Sequence, residues 1–547
     1  MKTQILRLLL FLMVANATTI QGQTYRYLVK FKDKTASPYS VSNPLVFLSQ
    51  KSLNRRFRQG IPVSESDFPP NPAYIAGVKA TGASVRYKTR WLNGVLVDAT
   101  DAQKNTILAL PYVGEIEFNK PLKQLRNQAI KNKFEVEETQ TLNYGDATAQ
   151  ISLLGVDAMH NAGFHGENML IGILDNGFLN ANTITCLDTT FSKNRVLEVY
   201  DFVDKDSTVF SQGGHGTNVM SCMAGYVPNT LIAPSFGAKF VLYRTEDDAT
   251  ETRAEEANWL FAAERADSIG VDVINSSLGY SQFDNVADDY STAQMDGNTA
   301  LSTRAADLAV SKGIVVVNSA GNAGATAWHI ISAPSDGDSV LAIGAVNRLG
   351  QVASFSSRGN AADGAVKPDV MAVGSQTALC ATSGSTGTSN GTSFSSPLTA
   401  AMVAGFWQAN PHLTAFDVIQ CIRKSGHIYN TPNVDYGYGY ANFVRADSVA
   451  KAQFAIKSLE PFSEVKSICI TPDNKAKVEF HFDTSLVGHQ LRITFINQTN
   501  SLLLNQQIFT PSSQIYTLIL PFNSITKDIF CRIDDITSVR NVGILRF

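Results

Sequence analysis

An acid closes the apolar run "MLIGILD" at Asp175, an imidazole stands between glycines in "GGHGTNVMSCMAG" at His215, and a hydroxyl sits in the turn "GTSFSSPLTA" at Ser393. A carboxylate at the tip of a hydrophobic strand is costly unless a neighbour uses its charge. Serine is inert at its own pKa and needs a base within hydrogen-bond reach. Histidine takes and returns protons near neutral pH. A buried carboxylate holds the imidazole in one tautomer and stabilises its protonated form. Acid, base and hydroxyl together make the set required for nucleophilic acyl transfer. A fourth residue, Asn322 in "VVVNSAGNAGA", follows an apolar run. Its amide can face an oxygen that turns negative, with the Ser393 N–H at a helix start as second donor. Taken singly, each residue has a plainer reading as a helix cap, a turn former or a loop filler. It is the combination, with small neighbours at Gly214, Gly216, Gly391 and Thr392, that carries the chemistry.

Such residues need a frame that brings distant segments together. Between 151 and 452, short apolar runs ("MLIGILD", "KFVLYRT", "VDVINSSLG", "GIVVVNSAG", "VLAIGAV") alternate with helical stretches at 252–268, 301–312 and 395–409. Strands buried on both faces read this way. The pattern predicts a doubly wound α/β domain with a mostly parallel sheet and helices on both faces. In such folds the chemistry sits at the carboxyl ends of the strands, where Asp175 lies. Pro397 falls in the first turns of the helix that Ser393 opens, which predicts an unusual start or a slight kink.

Residues 23–120 read as a small α+β unit. "YRYLVKFK" alternates as a strand, "NPLVFLSQKSLNRRFRQG" reads as a helix, "RYKTRWLNGVLVDAT" as strand, and "AQKNTILALPYVGEIEF" as a helix then a strand. The short basic run "SLNRR" reads as one helix face. Residues 121–150 turn polar without a clear period and read as a linker. From 460 to 547, strand-like runs separated by polar turns predict a β-sandwich.

The net charge of -3, from 45 basic and 48 acidic residues, argues against nucleic acid as a partner. Residues 1–22 carry Lys2 and Arg7, a short apolar run and then small residues, the pattern of a secretory signal peptide. That predicts a secreted or cell-surface protein. The six cysteines show no zinc or redox spacing. Export permits disulfides, with Cys469 and Cys531 as one conceivable pair, but connectivity is not readable. The eight histidines form no ligand set, and His160 and His165 read as surface or packing residues. No catalytic metal and no cofactor for the chemistry are expected. The acidic stretch 284–298, "DNVADDYSTAQMDGN", is a candidate for a structural calcium, although it lacks the spacing of an EF-hand loop.

The four motifs together resemble those of the subtilisin-like serine proteases, the subtilases. The resemblance covers about 160–445. "ILDNGF" gives Asp175, with Asn176 where the family usually has Ser or Thr. "GHGTNVMS" gives His215, with Asn218 where a second His is common. "GTSFSSPLTA" gives Ser393, and "SAGN" gives Asn322 with Gly321 beside it. "VINSSLG" resembles the strand that pairs with the substrate backbone, which implies a lining of Ser277, Leu278 and Gly279. The resemblance implies a serine endopeptidase acting on protein or peptide substrates, with structural calcium common in the family. The first unit resembles the inhibitory propeptide of exported subtilases from Bacteroidetes bacteria. An attached propeptide lays its tail in the cleft at high effective concentration, and maturation would cut within 121–150. The alternative is a permanent accessory domain. The last unit resembles the sorting domain of the same bacteria, which implies outer-membrane secretion machinery as a partner. The chain ends "NVGILRF", without that domain's usual ending rich in Lys and Val. The rival class for the whole protein is a non-catalytic module that keeps the subtilase fold for surface binding or adhesion.

Overall fold

The computed structural model describes residues 23–124, 145–359 and 361–453, and within the last unit 463–470, 476–482, 484–497, 502–519, 529–535 and 540–546. Two compact units emerge. The smaller comprises residues up to Pro38 together with Pro69–Asn127, and the larger Tyr39–Phe68 together with Gln128–Phe547. The stretch read as one domain at 23–120 is thus divided, and its middle segment folds with the larger unit.

In the smaller unit, an antiparallel sheet is built on Thr24–Phe31, which pairs with Gly94–Thr100 on one side and Val113–Ile116 on the other. The run read as a single strand at 86–100 is a hairpin, Ser84–Thr89 followed by Gly94–Thr100. Asn93 takes φ 49° at its turn, a left-handed conformation that asparagine tolerates. Helices Pro72–Ala80 and Asp101–Leu108 add to a core of Tyr27, Val29, Val78, Val95 and Val97.

The larger unit contains a seven-stranded sheet: β1 (Leu170–Asp175), β2 (Val196–Asp201), β3 (Lys239–Arg244), β4 (Val273–Ser276), β5 (Val315–Ser319), β6 (Leu341–Val346) and β7 (Val370–Val373). Their order is β7-β6-β5-β4-β1-β3-β2, and every neighbouring pair is parallel. β1, β4, β5, β6 and β7 are buried at every residue, which is why they read as unbroken apolar runs. The chain winds to one side of β1 through β3 and then crosses to the other side at β4. β1 therefore stands at the switch point, where such sheets open a crevice beyond the strand ends.

Five helices surround the site or anchor its flanks: α1 (Gln50–Arg58), α2 (His215–Ala224), α3 (Arg253–Ile269), α4 (Leu301–Ser311) and α5 (Thr392–Ala409). α5 is buried from Thr392 to Trp407 and packs on β4 to β7. Pro397 lies inside it, in the second turn. α3 opens with a capping box between Thr252 and Glu255 and stops at Gly270, whose φ of 98° no residue with a β-carbon adopts easily. Arg55 and Arg56 of α1 are 2% and 1% exposed. The basic run is therefore not a solvated face, because Asp267 of α3 supplies its counter-charge.

Cys186 and Cys380 form a disulfide across 194 residues, a connection that no spacing rule in the sequence reveals. The side chain of Cys469 lies outside the described residues, and with it the suggested pairing to Cys531. The last unit has two antiparallel sheets. One joins Ser463–Ile470, Ala476–Phe482 and Ile515–Ile519, and the other joins Leu502–Phe509, Leu491–Asn497, Ile529–Asp535 and Arg540–Arg546. Phe480 and Leu518 of the first meet Ile493, Phe495 and Ile533 of the second in one core, as a β-sandwich requires. Among the described residues, no helix is long and apolar enough to cross a membrane.

Candidate active site

Asp175 is the last residue of β1 and is fully buried. Its Oδ1 accepts a hydrogen bond from the Asn176 N–H at 2.9 Å and meets His215 Nδ1 at 2.8 Å. The strand end is held on its other flank by the Thr245 N–H, which donates to the Asp175 carbonyl at 2.9 Å. Arg244 Nε donates to the Asn176 carbonyl at 3.2 Å while its Nη1 donates to Asp201 at 2.7 Å. This pins the turn that follows the acid. Asn176 itself donates to Asp248 at 3.0 Å, which fills the family's Ser/Thr position with a structural bond.

His215 is the first residue of α2 and is buried. Gly216 lets it come this close. A β-carbon there would stand 2.3 Å from the Gly177 carbonyl and 3.0 Å from the Asp175 β-carbon. One ring nitrogen on Asp175 fixes the orientation of the imidazole.

Ser393 is the second residue of α5, after Gly391 with φ 151°. Its Oγ lies 3.5 Å from the Ser277 carbonyl, and its own carbonyl accepts from Ser277 Oγ at 2.9 Å. The next side chain, Phe394, packs on the His215 ring with centroids 5.8 Å apart. α2 and α5 are in contact, and the His215–Phe394 ring pair brings their first turns together. Ser396 donates to Asn275 at 2.8 Å and ties this first turn to β4.

Asn322 Oδ1 accepts from the Thr392 N–H at 2.9 Å and from Thr392 Oγ1 at 2.8 Å. With its oxygen occupied, the amide nitrogen is the end left to donate. Asn322, Gly321, Ser393, Ser277, Leu278 and Gly279 all line one cavity of about 450 Å³. Of the sequence-predicted site residues, Asp175 and His215 alone are outside this lining. In the sequence Thr392 stands only as a small neighbour of Ser393, and its two hydrogen bonds to Asn322 carry no signal there. Glu246 and Glu251 escaped because they reach the cavity from a loop after β3.

The acidic stretch 284–298 gathers no metal set among the described residues. Asp284, Asp289 and Asp296 accept backbone N–H bonds from Glu251, Phe283 and Asn298 respectively. Among the described residues the one group of three carboxylates close enough to share an ion is Glu246, Glu251 and Glu255. His160 and His165 are packing residues as expected, His160 Nε2 meeting the Pro234 carbonyl at 2.9 Å and His165 packing on Phe236.

The subtilase family model matches residues 166–441, and a model of the peptidase S8 propeptide domain of Bacteroidota matches 26–135. Subtilisin of Bacillus pumilus is 29% identical over 306 residues, covering 55% of this chain and 98% of its own length. Subtilisin E of Bacillus subtilis is 30% identical over 313 residues, covering 56% and 71%. Subtilisin DY of Bacillus licheniformis is 31% identical over 280 residues, covering 51% and 89%. With a buried acid–imidazole pair at a sheet switch point, a serine at the neighbouring helix start and these relatives, the chain belongs to the subtilase family of serine peptidases and carries an S8 propeptide domain ahead of its protease domain.

Proposed function

We propose that the protein is an exported serine endopeptidase that cleaves peptide bonds through an acyl-enzyme on Ser393. His215 removes the hydroxyl proton as Ser393 attacks the scissile carbonyl, then gives a proton to the leaving amine. Asp175 orients His215 and stabilises the imidazolium. The Asn322 amide and the Ser393 N–H receive the oxyanion. Water then releases the acyl group by the same steps reversed. The 2.8 Å contact between Asp175 and His215, both buried, carries this reading. A buried carboxylate on an imidazole is the arrangement that holds a general base in one tautomer.

In this reading residues 1–22 are the leader and residues 23–120 supply the intramolecular inhibitor. The maturation cut falls in 121–150, and residues 460–547 serve export through the outer membrane. Structural calcium, if bound, plays no part in the chemistry. The secreted wild-type protein is compared with Ser393→Ala by fluorophosphonate labelling and by mass spectrometry of both chain ends. Labelling and a trimmed N-terminus in the wild type alone are expected. Equal labelling of both proteins would refute the assignment.

A further inference from the structure

Residues 39–68 fall inside the propeptide match, yet they fold with the protease body. Their contacts gather where α3 and α4 end and where β1, β4 and β5 begin. The last four carbonyls of a helix have no partner within it. At the end of α3, the Ser49 N–H donates to the Ser268 carbonyl and Ser49 Oγ to the Ile269 carbonyl, both at 2.8 Å. Just beyond α4, Arg55 Nε donates to the Lys312 carbonyl at 3.3 Å and Gln59 Nε2 to the Gly313 carbonyl at 2.8 Å. Gln59 Oε1 also accepts the Ala415 N–H at 2.8 Å, at the start of the helix Ala415–Lys424. The fit is close: a β-carbon on Gly270 would stand 2.7 Å from the Ser52 nitrogen, and one on Gly313 would stand 3.0 Å from the Ile61 side chain. Asp272, 2% exposed, meets Lys51 at 2.6 Å and accepts the N–H of Leu170, the first residue of β1, at 2.9 Å. Arg58 lies over the Trp407 ring of α5 at 5.5 Å. With Arg55 and Arg56 on Asp267, the segment caps two helices, faces two buried carboxylates with cations and touches the helix that carries Ser393.

All these contacts stand at the amino ends of the parallel strands. Asp175 stands at the carboxyl end of β1, the opposite edge of the sheet. An inhibitor that is only discarded needs to hold the cleft; this segment instead completes the body at the far edge. Its ion pairs are buried, so salt screens them little, and all must break together for the segment to leave. We propose that residues 39–68 stay on the protease after maturation as a tightly held second chain, a structural part of the active enzyme. The inference rests on the proposed maturation cut within 121–150 and deepens it. Blocking and holding are then done by different residues. Blocking ends when the inhibitory tail leaves the cleft, and holding continues through Ser49, Lys51, Arg55, Arg56, Arg58 and Gln59.

The test lets the secreted full chain mature and labels it with fluorophosphonate. The product is passed over a sizing column in about 1 M sodium chloride, where the Debye length is about 3 Å and exposed ion pairs are screened. Native and denaturing mass spectrometry then show which chains travel with the label. The expected result is labelled protease bound to a single copy of a second chain that contains residues 39–68. Asp267→Asn is expected to speed the loss of that chain on dilution about hundredfold. Gln59→Ala, which removes one bridge, is expected to speed it about tenfold, and serves where Asp267→Asn does not accumulate. Labelled protease without residues 39–68 overturns the inference and leaves the peptidase reading intact. A two-chain complex that takes no label, beside free protease that does, also overturns it, because the segment then belongs to the inhibitor alone. Loss at the wild-type rate in both variants overturns the assignment of the anchors. A chain that labels without being cut defeats the maturation, and the second chain with it. No labelling in any fraction defeats the proposed activity.

Discussion

Removing Asp267 should release the segment 39–68 from the protease body. This segment lies inside the propeptide match, yet it folds with the larger unit. Asp267 near the end of α3 receives Arg55 on Oδ1 and Arg56 on Oδ2, the latter at 2.6 Å. Both guanidiniums are 1% exposed and the carboxylate not at all. Arg56 also reaches Asp67 at 3.0 Å, and Arg55 donates to the Val271 carbonyl at 2.6 Å. Breaking a buried pair by removing one partner costs about 3–5 kcal/mol, because the other charge stays buried. Asp267→Asn leaves Arg55 with carbonyl acceptors alone and Arg56 with Asp67 alone, and should fall within that range. Arg56→Met should fall at the lower end, since Asp67 keeps Lys312 at 3.0 Å and Asp267 keeps Arg55. At about 1.4 kcal/mol per decade, local opening of α1 becomes some hundredfold to thousandfold more frequent. Native-state hydrogen exchange of the Gln50–Arg58 amides, in a full-length Ser393→Ala chain that cannot process itself, reads this directly. Protection unchanged within a factor of about three in Asp267→Asn would refute the argument that this buried cluster holds the segment.

Other consequences arise from the same contacts. Burial tends to raise the Asp67 carboxyl, but the Arg56 charge, the Ser64 N–H and Lys312 outweigh it and hold it below the usual carboxylate range. Burial likewise opposes, and Lys51 and Arg58 overcome, at Asp272. A depressed folded pKa means stability that is full above the unfolded value, about 3.9, and is lost as pH falls through the folded one. Cleavage within 39–68 by an added acid protease should therefore begin only below about pH 4. Asn322→Ala should lower kcat by about 10²–10³ with little change in KM, measured on any cleaved peptide. Cys186→Ser with Cys380→Ser should cost about 2–5 kcal/mol, seen as a lower midpoint of thermal inactivation of the matured enzyme.

Residues that act through their own local context were legible in the sequence. Asp175 ends an apolar run, His215 sits among glycines and Ser393 opens a helix, and each stands at the element end expected. Most strands of the sheet were legible for a related reason, since burial on both faces leaves no polar alternation to confuse them. Arg55 and Arg56 were not. A run of cations on a helix reads as solvated unless its counter-charge is known, and Asp267 lies more than 200 residues away. The Cys186–Cys380 bridge joins positions as distant and has no spacing rule. The acidic part of the cavity lining was hidden likewise, because Glu246 and Glu251 reach the Ser393 cavity only through the loop after β3. The hairpin at 84–100 resembles one strand because a tryptophan and a leucine fill its turn, although the Asn93–Gly94 pair is a turn signal.

The central claim is that Asp175, His215, Ser393 and Asn322 form one acyl-transfer centre, and a crystal structure of the matured enzyme after fluorophosphonate reaction tests it most directly. A covalent phosphonyl group is expected on Ser393 Oγ, with a phosphonyl oxygen about 2.7–3.1 Å from both Asn322 Nδ2 and the Ser393 N–H, and His215 still on Asp175. An adduct on another side chain, or one on Ser393 whose oxygen points away from Asn322, would contradict it.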